Sequence, residues 1–271
     1  MLSSLKKSNT WALGIISVIF TVVPETLFRE YKLLTNYSDE VNIVLNRVLV
    51  FIIVLILSII VNVLYLTFRK NVYIKGYNYS IHIKYGNLSK VRKCKKVIPF
   101  DECFTTSVGN YPGDINPDSI CGQYLKENPG LDVQALINKV KLIPKKNKSK
   151  YKSKECYISG KLVPNGDDLL LTFAKLDKDG LGRLTREEYI DCLSVLWEEI
   201  DKYYGQKDVC IPILGSGVTR INGTSFSQQE LLDIIVYSYK LSTHKIKSPN
   251  KLYIVCKKKD NFSLNKIGKN L

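Results

Sequence analysis

The chain has 271 residues, with 40 Lys plus Arg against 25 Asp plus Glu, for a net charge of +15. At 45% hydrophobic and 24% charged it is no disordered polyelectrolyte, and two His leave little room for a His-based metal site or a His-driven catalytic system. A mean hydropathy of −0.05 hides a split. Residues 1–68 hold 5 basic and 4 acidic side chains, so the rest carry +14 of the +15. An apolar part, 1–70, joins a basic body, 71–271.

Lys6 and Lys7 precede the apolar run WALGIISVIFTVV, which opens the segment Trp11–Phe28 before Pro24 and Glu25 intrude. A spanning helix, a signal peptide and an interfacial helix all compete for it. No A-x-A-like cleavage site follows, so the spanning helix is preferred, with Pro24 near its end. From Val48 to Phe68 there is no charged residue, and 21 residues at about 1.5 Å each span the ~30 Å hydrocarbon core. The expectation is a two-helix transmembrane hairpin. Basic flanks at Lys6, Lys7, Arg69, Lys70, Lys75 and Lys84 place both termini in the cytoplasm of a multi-pass protein by the positive-inside rule. Seven cysteines, odd in number and without a CxxC, fit reduced thiols there.

In the body, Val72–Lys75 and Tyr79–Tyr85 alternate as a strand hairpin, and Lys96–Phe100 is a short strand leading into the loop DECFTTSVGNYPGDINPDS. Ser119–Lys126 and Leu131–Ile143 read as helices, and Leu169–Ala174 as a strand. Thr185 and Glu188 form a capping box before a helix whose buried stripe is Tyr189, Leu193, Leu196, Trp197 and Ile200. Val209–Leu214 is an apolar strand holding Cys210 in the core, Ser227 and Glu230 cap the helix Gln228–Leu241, and Lys251–Cys256 is a last strand. Strands alternating with helices give an α/β fold with a mixed sheet flanked by helices.

DKDGLGRLTREE, 177–188, sets Asp177, Asp179, Gly182 and Glu188 on EF-hand positions 1, 3, 6 and 12. Leu181 stands where an oxygen ligand belongs, a strand-like LLLTFAKL precedes, and no second EF-hand follows. A polar turn into the Thr185 helix explains the same residues. The basic runs Lys90–Lys96 and Lys139–Lys154 suit anionic lipid or a phosphorylated ligand. Only 7 of the 40 basic residues are Arg and no nucleic-acid-binding motif accompanies them, so no nucleic-acid partner is expected. In VCIPILGSGVTRING, 209–223, an apolar strand feeds Gly215-Ser216-Gly217, whose amides can nest an anion. The loop lacks both GxGxxG and the GK[ST] of a P-loop, and a plain strand-to-helix turn also fits it.

In order, these features resemble one family: the bacterial macro-like domain found behind two transmembrane helices, as in the type II Thoeris antiphage effectors. Ile211-Pro212-Ile213-Leu214-Gly215-Ser216-Gly217 resembles its glycine loop, and Ser227-Gln228-Gln229-Glu230 the helix that follows. Asp101-Glu102-Cys103-Phe104-Thr105-Thr106 takes the place of an Asn-Glu-aromatic-Phe-Asp-Thr loop, departing at the Asn, the aromatic and the Asp. Ser119-Ile120-Cys121-Gly122 and Tyr157-Ile158-Ser159-Gly160 are similar to two further family segments.

The resemblance implies a sensor of an ADP-ribose derivative, histidine–ADP-ribose, made by a partner TIR-domain enzyme that consumes NAD. Ligand would drive a homo-oligomer that compromises the bacterial inner membrane. The implied contacts are Leu214, Gly215, Ser216, Gly217 and Val218 at the diphosphate, with Thr219 and Arg220 closing over it. Asp101, Glu102, Thr105 and Thr106 would face the adenosine or distal group, with Ser119, Ile120, Gly122 and Gln123 nearby. No cofactor, metal or catalytic residue is expected, since no nucleophile–base pair stands at useful spacing, and His82 and His244 read as surface residues. An ADP-ribosyl hydrolase and a membrane-tethered calcium- or lipid-binding module are the alternatives.

Overall fold

A computed structural model of the chain describes residues 2–30, 38–111, 113–217, 219–221 and 226–267. It divides at Arg69/Lys70 into two compact units.

The first unit is helical: α1 (Leu2–Val22), α2 (Glu25–Glu30) and α3 (Asp39–Phe68). The expected single span over Trp11–Phe28 is not one helix. Pro24 has no N–H to donate and restricts the residue before it, so α1 stops at Val22 and α2 starts afresh. The apolar part of α1 is Leu13–Val22, about 15 Å long and half a bilayer core. One helix among the described residues, α3, is long and apolar enough to cross a membrane. Asp39 and Glu40 in its first turn suit the helix dipole. Phe28 and Ile43 are buried, and the Asn46 side-chain amide donates to the Phe28 carbonyl at 2.6 Å.

The second unit is a mixed α/β domain. Its strands are β1 (Asn71–Lys75), β2 (Ser80–Tyr85), β3 (Cys94–Asp101), β4 (Leu162–Asn165), β5 (Asp168–Leu176), β6 (Gly182–Leu184), β7 (Asp208–Pro212), β8 (Arg220–Ile221) and β9 (Leu252–Cys256). They form one sheet in the order β1-β2-β9-β7-β3-β5-β6-β8, with β4 antiparallel to β5. Its helices are α4 (Ile120–Glu127), α5 (Val133–Val140), α6 (Arg186–Tyr203) and α7 (Gln228–Leu241).

Alternation along the central strands sorts the core into two layers. Val97, Leu169, Leu171, Val209 and Ile211 pack under α6 and α7, beneath Trp197, Leu231 and Ile235. Ile98, Phe100, Leu170 and Cys210 pack under α4 and α5 with Tyr124, Val133 and Ile137. Strands buried on both faces read as unbroken apolar runs, which is why LLLTF in β5 shows no alternation. Both expected capping boxes are present, at Thr185/Glu188 and Ser227/Glu230.

Three strands escaped the sequence reading: β4, which carries Pro164, and the short β6 and β8. The 177–188 segment is a turn between β5 and β6 followed by the start of α6. Asp177 Oδ1 accepts the amides of Asp179 and Leu181 at 3.0 and 2.9 Å, and Oδ2 is held by Arg183. The carboxylate an EF-hand would offer to calcium is thus spent on the turn. All seven cysteines are free, six of them buried.

Candidate functional site

The connections out of β3 and β7 define the site. β3 leads to α4 and α5 on one face of the sheet, whereas β7 leads to α7 on the other. These neighbouring parallel strands are paired only from Cys94↔Asp208 to Lys96↔Cys210, and no pairing continues toward their carboxyl ends. Adjacent strands whose connections leave on opposite faces open a crevice at those ends, where α/β folds bind ligands.

The glycine loop crosses this crevice. β7 lies on one side of β3, but the chain after Gly217 re-enters the sheet as β8 beside β6, beyond β5 on the other side. Residues 213–217 therefore lead over the carboxyl ends of β3 and β5. Tyr189, fully buried on α6, donates its hydroxyl to the Leu214 carbonyl at 3.0 Å and fixes the start of the loop. Gly215 sits at φ +79°, a backbone state that favours glycine. The Ser216 hydroxyl turns back onto the Ile213 carbonyl at 2.8 Å. The amides of Gly215 and Gly217 have no hydrogen-bond partner among the described residues, and a Cβ on Gly217 would meet nothing within 4 Å. Lys259, just past β9, donates to the Ser216 carbonyl at 2.7 Å and brings a cation to the loop. Sequence reading missed both Tyr189 in this role and Lys259. The run KKK at 257–259 was the available signal for the second. Thr219 lies beside Gly182 in β6. Val218 and the side chain of Arg220 fall outside the described residues.

Beneath the loop, β3 ends at Asp101. Its carboxylate is 6% exposed; Oδ1 accepts the amides of Cys103 and Thr105 at 2.8 and 3.2 Å. Its Oδ2 and the Thr105 hydroxyl are buried with no hydrogen-bond partner among the described residues. Burial raises the Asp101 pKa against the opposing pull of the nearby Thr105 hydroxyl, of those amides and of Lys154. Phe104 is held at φ +51°, its ring packed 5.7 Å from both Phe100 and Tyr157. Such stored backbone strain is common at ligand sites. Thr106 is exposed.

The other candidates are placed elsewhere. Glu102 stands just past the end of β3, and its carboxylate has partners of its own. It is 4% exposed; its Oε2 lies 3.2 Å from Lys145 Nζ, and its Oε1 accepts the Ser149 hydroxyl and the Leu176 amide. The Glu102 carboxylate is spent inside the fold. Ser119 caps α4, accepting the Gly122 amide at 2.9 Å and donating to the Asn116 carbonyl at 2.7 Å. A Cβ on Gly122 would stand 2.2 Å from the Asn116 carbonyl oxygen, so close packing demands this glycine. Ile120 and Gln123 line a small pocket of ≈ 60 Å³ with Lys96, Tyr124 and Asp168, far too small for a nucleotide.

Among the described residues no group of three or more His, Cys, Asp or Glu is placed to hold a metal ion. Cys103, the thiol in the β3 loop, has its pKa pushed up to about 11, chiefly by burial, which leaves it protonated and a poor nucleophile. His82 stacks between Tyr73 and Tyr253, and His244 pairs with Asp201 at 3.0 Å.

A mixed sheet with helices on both faces and a glycine loop over its switch point define the class: an α/β domain of macro type. Similarity to known proteins agrees. The model of the Thoeris protein ThsA macro domain matches residues 81–257. The Thoeris protein ThsA of Bacillus amyloliquefaciens (strain Y2) is 30% identical over 269 residues, covering 96% of this chain and 88% of that protein. The chain belongs to the ThsA family. Among solved structures, a glycine-to-valine variant of the Oceanobacillus iheyensis macrodomain with ADPR matches 70% of this chain and 91% of its own, at 10% identity and a TM-score of 0.42. The same macrodomain with ADP matches 70% and 89%, at 9% identity and a TM-score of 0.42.

Proposed function

We propose that this protein is a membrane-anchored effector of bacterial antiphage defence whose macro-type domain senses an ADP-ribose derivative. What supports the reading is the topology: the chain leaves β7 and enters β8 on the far side of β3 and β5, and Asp101 is buried at the end of β3. Free amides at Gly215 and Gly217, with Lys259 beside them, suit a diphosphate. The Asp101 Oδ2 and the Thr105 hydroxyl, buried without partners among the described residues, suit a donor-bearing base or the imidazole of histidine–ADP-ribose. Arg220 is the charge partner proposed to close over the diphosphate.

In this reading a TIR-domain enzyme consumes NAD during infection and supplies the ligand, and the domain retains it without turning it over. α3 crosses the membrane and places the domain that follows it in the cytoplasm, while α1, whose apolar part matches half of the hydrocarbon core, inserts from one side. Two helices cannot enclose a lumen, so membrane disruption requires a homo-oligomer, and ligand favours that assembly by binding it more tightly.

Reconstitution tests this reading. The full chain in dye-loaded vesicles of bacterial lipid should release dye on addition of histidine–ADP-ribose and not of AMP. Release that ignores the ligand, or a ligand consumed catalytically rather than retained, would overturn it.

A further inference from the structure

The chain from Arg69 to Phe100 holds nine basic residues (Arg69, Lys70, Lys75, Lys84, Lys90, Arg92, Lys93, Lys95 and Lys96) and no Asp or Glu. Much of this charge flanks a sheet face that no helix covers at β1 and β2. Register puts Asn71 beside Lys84, Tyr73 beside His82, Lys75 beside Ser80, and His82 beside Tyr253. Paired residues share a face, so Tyr73, His82 and Tyr253 form a row across three strands. Their rings stack edge to face, His82 lying 4.4 Å from Tyr73 and 5.1 Å from Tyr253, with Lys84 Nζ 4.7 Å from the Tyr253 ring. The opposite face of the same strands is buried core: Val72, Ile81, Ile83, Leu252 and Ile254. Tyr253 packs at the edge of the cluster under α4 and α5, and none of residues 71–85 joins that cluster, so the bare part of the face is β1 and β2. Tyr73 is 61% exposed, and Tyr77, at the tip of the β1–β2 turn, is 99% exposed.

We propose that this face, with the loop 86–93, docks on anionic phospholipid headgroups. The proposal rests on the membrane reading above and adds a second contact to the helical anchor. The chain itself argues for the occupant, because only Arg69 and Lys70 lie between the apolar helix and β1. Tyr at the edge of an apolar span and clustered basic residues next to it are what an anionic leaflet attracts. Lys in place of Arg suits diffuse attraction to headgroups, which needs charge and no fixed geometry. Docking through β1 would fix which way the crevice at β3 and β7 faces, so ligand would act on a domain already oriented.

Amide hydrogen exchange on the full chain in lipid nanodiscs tests this. Over residues 71–93 exchange should slow at least about tenfold when phosphatidylglycerol replaces part of the phosphatidylcholine. The protection should vanish in ~1 M NaCl, where the Debye length is about 3 Å. It should also vanish in the combined variant Lys75→Gln, Lys84→Gln, Lys90→Gln, Arg92→Gln and Lys93→Gln, which lies away from the glycine loop and should keep the parent's ADP-ribose affinity. Equal exchange in both lipids, with the protein still resistant to carbonate extraction, overturns the inference and leaves the anchor standing. Carbonate extraction of the chain overturns both. Protection given by added single-stranded RNA in neutral lipid assigns the face to nucleic acid and refutes the lipid proposal.

Discussion

Glu102→Ala tests whether the carboxylate next to Asp101 is a strut of the fold or part of the ligand site. Glu102 joins three segments: the end of β3, the lysine-rich loop through Lys145 and Ser149, and the end of β5 through the Leu176 amide. Alanine leaves an ammonium, a hydroxyl and an amide without their acceptor. Removing one partner of a buried pair costs about 3–5 kcal/mol. The Lys145 side chain is 23% exposed and regains some water, which puts the cost near the lower end, about 3 kcal/mol. At about 2–4 °C per kcal/mol for a unit of this size, melting should fall by about 6–12 °C. Glu102→Gln keeps an acceptor for Ser149 and Leu176 and loses only the ion pair, so it should cost about 1 kcal/mol. Differential scanning calorimetry of the detergent-purified full chain reads both variants. Calorimetric titration with ADP-ribose should give the Gln variant the parent's affinity within about twofold, since the carboxylate is engaged by Lys145, Ser149 and the Leu176 amide. An alanine variant that melts with the parent, or a Gln variant that loses binding, would refute this placement.

Asp101→Asn should do the reverse. Burial raises the Asp101 pKa, so its contribution favours the folded state below the unfolded pKa and is lost as pH rises through the folded one. Asparagine keeps the Oδ1 acceptor without the charge, so at pH 7 it should stabilise by about 0.5–2 kcal/mol while weakening ligand binding, and the stability gain should shrink as the pH falls toward 4 in thermal melts. Tyr189→Phe should cost about 1–3 kcal/mol, because it leaves the Leu214 carbonyl buried without its donor, and should speed hydrogen exchange in 213–217. Calcium should leave the melting temperature unchanged in a thermal-shift assay, since both oxygens of Asp177 are engaged by its own turn.

Local signals were legible in the sequence where the cause is local. Both capping boxes and the Tyr189–Ile200 stripe need only neighbours on one helix. The elements that escaped are defined by distant partners: β6 and β8 are three and two residues long and exist because Arg183 pairs with Arg220. The same limit applied to the site. Asp101 and Glu102 are equally acidic neighbours, and only the fold shows that Lys145, Ser149 and the Leu176 amide engage Glu102 while Asp101 Oδ2 keeps no hydrogen-bond partner among the described residues. The helical unit turned on Pro24, whose position shortens the first apolar helix in a way that composition alone does not convey.

The central claim is that the crevice at the carboxyl ends of β3 and β7 holds an ADP-ribose derivative. The most direct measurement is calorimetric titration of the full chain with histidine–ADP-ribose, for the parent, Gly217→Glu and Gly217→Gln. A Cβ at Gly217 meets nothing within 4 Å, and Glu and Gln are nearly equal in size, so the two variants differ chiefly in charge. The account predicts one ligand per parent chain, binding retained in the Gln variant, and binding lost in the Glu variant at an unchanged melting temperature. Equal affinity in all three proteins, or no binding by the parent, would contradict it.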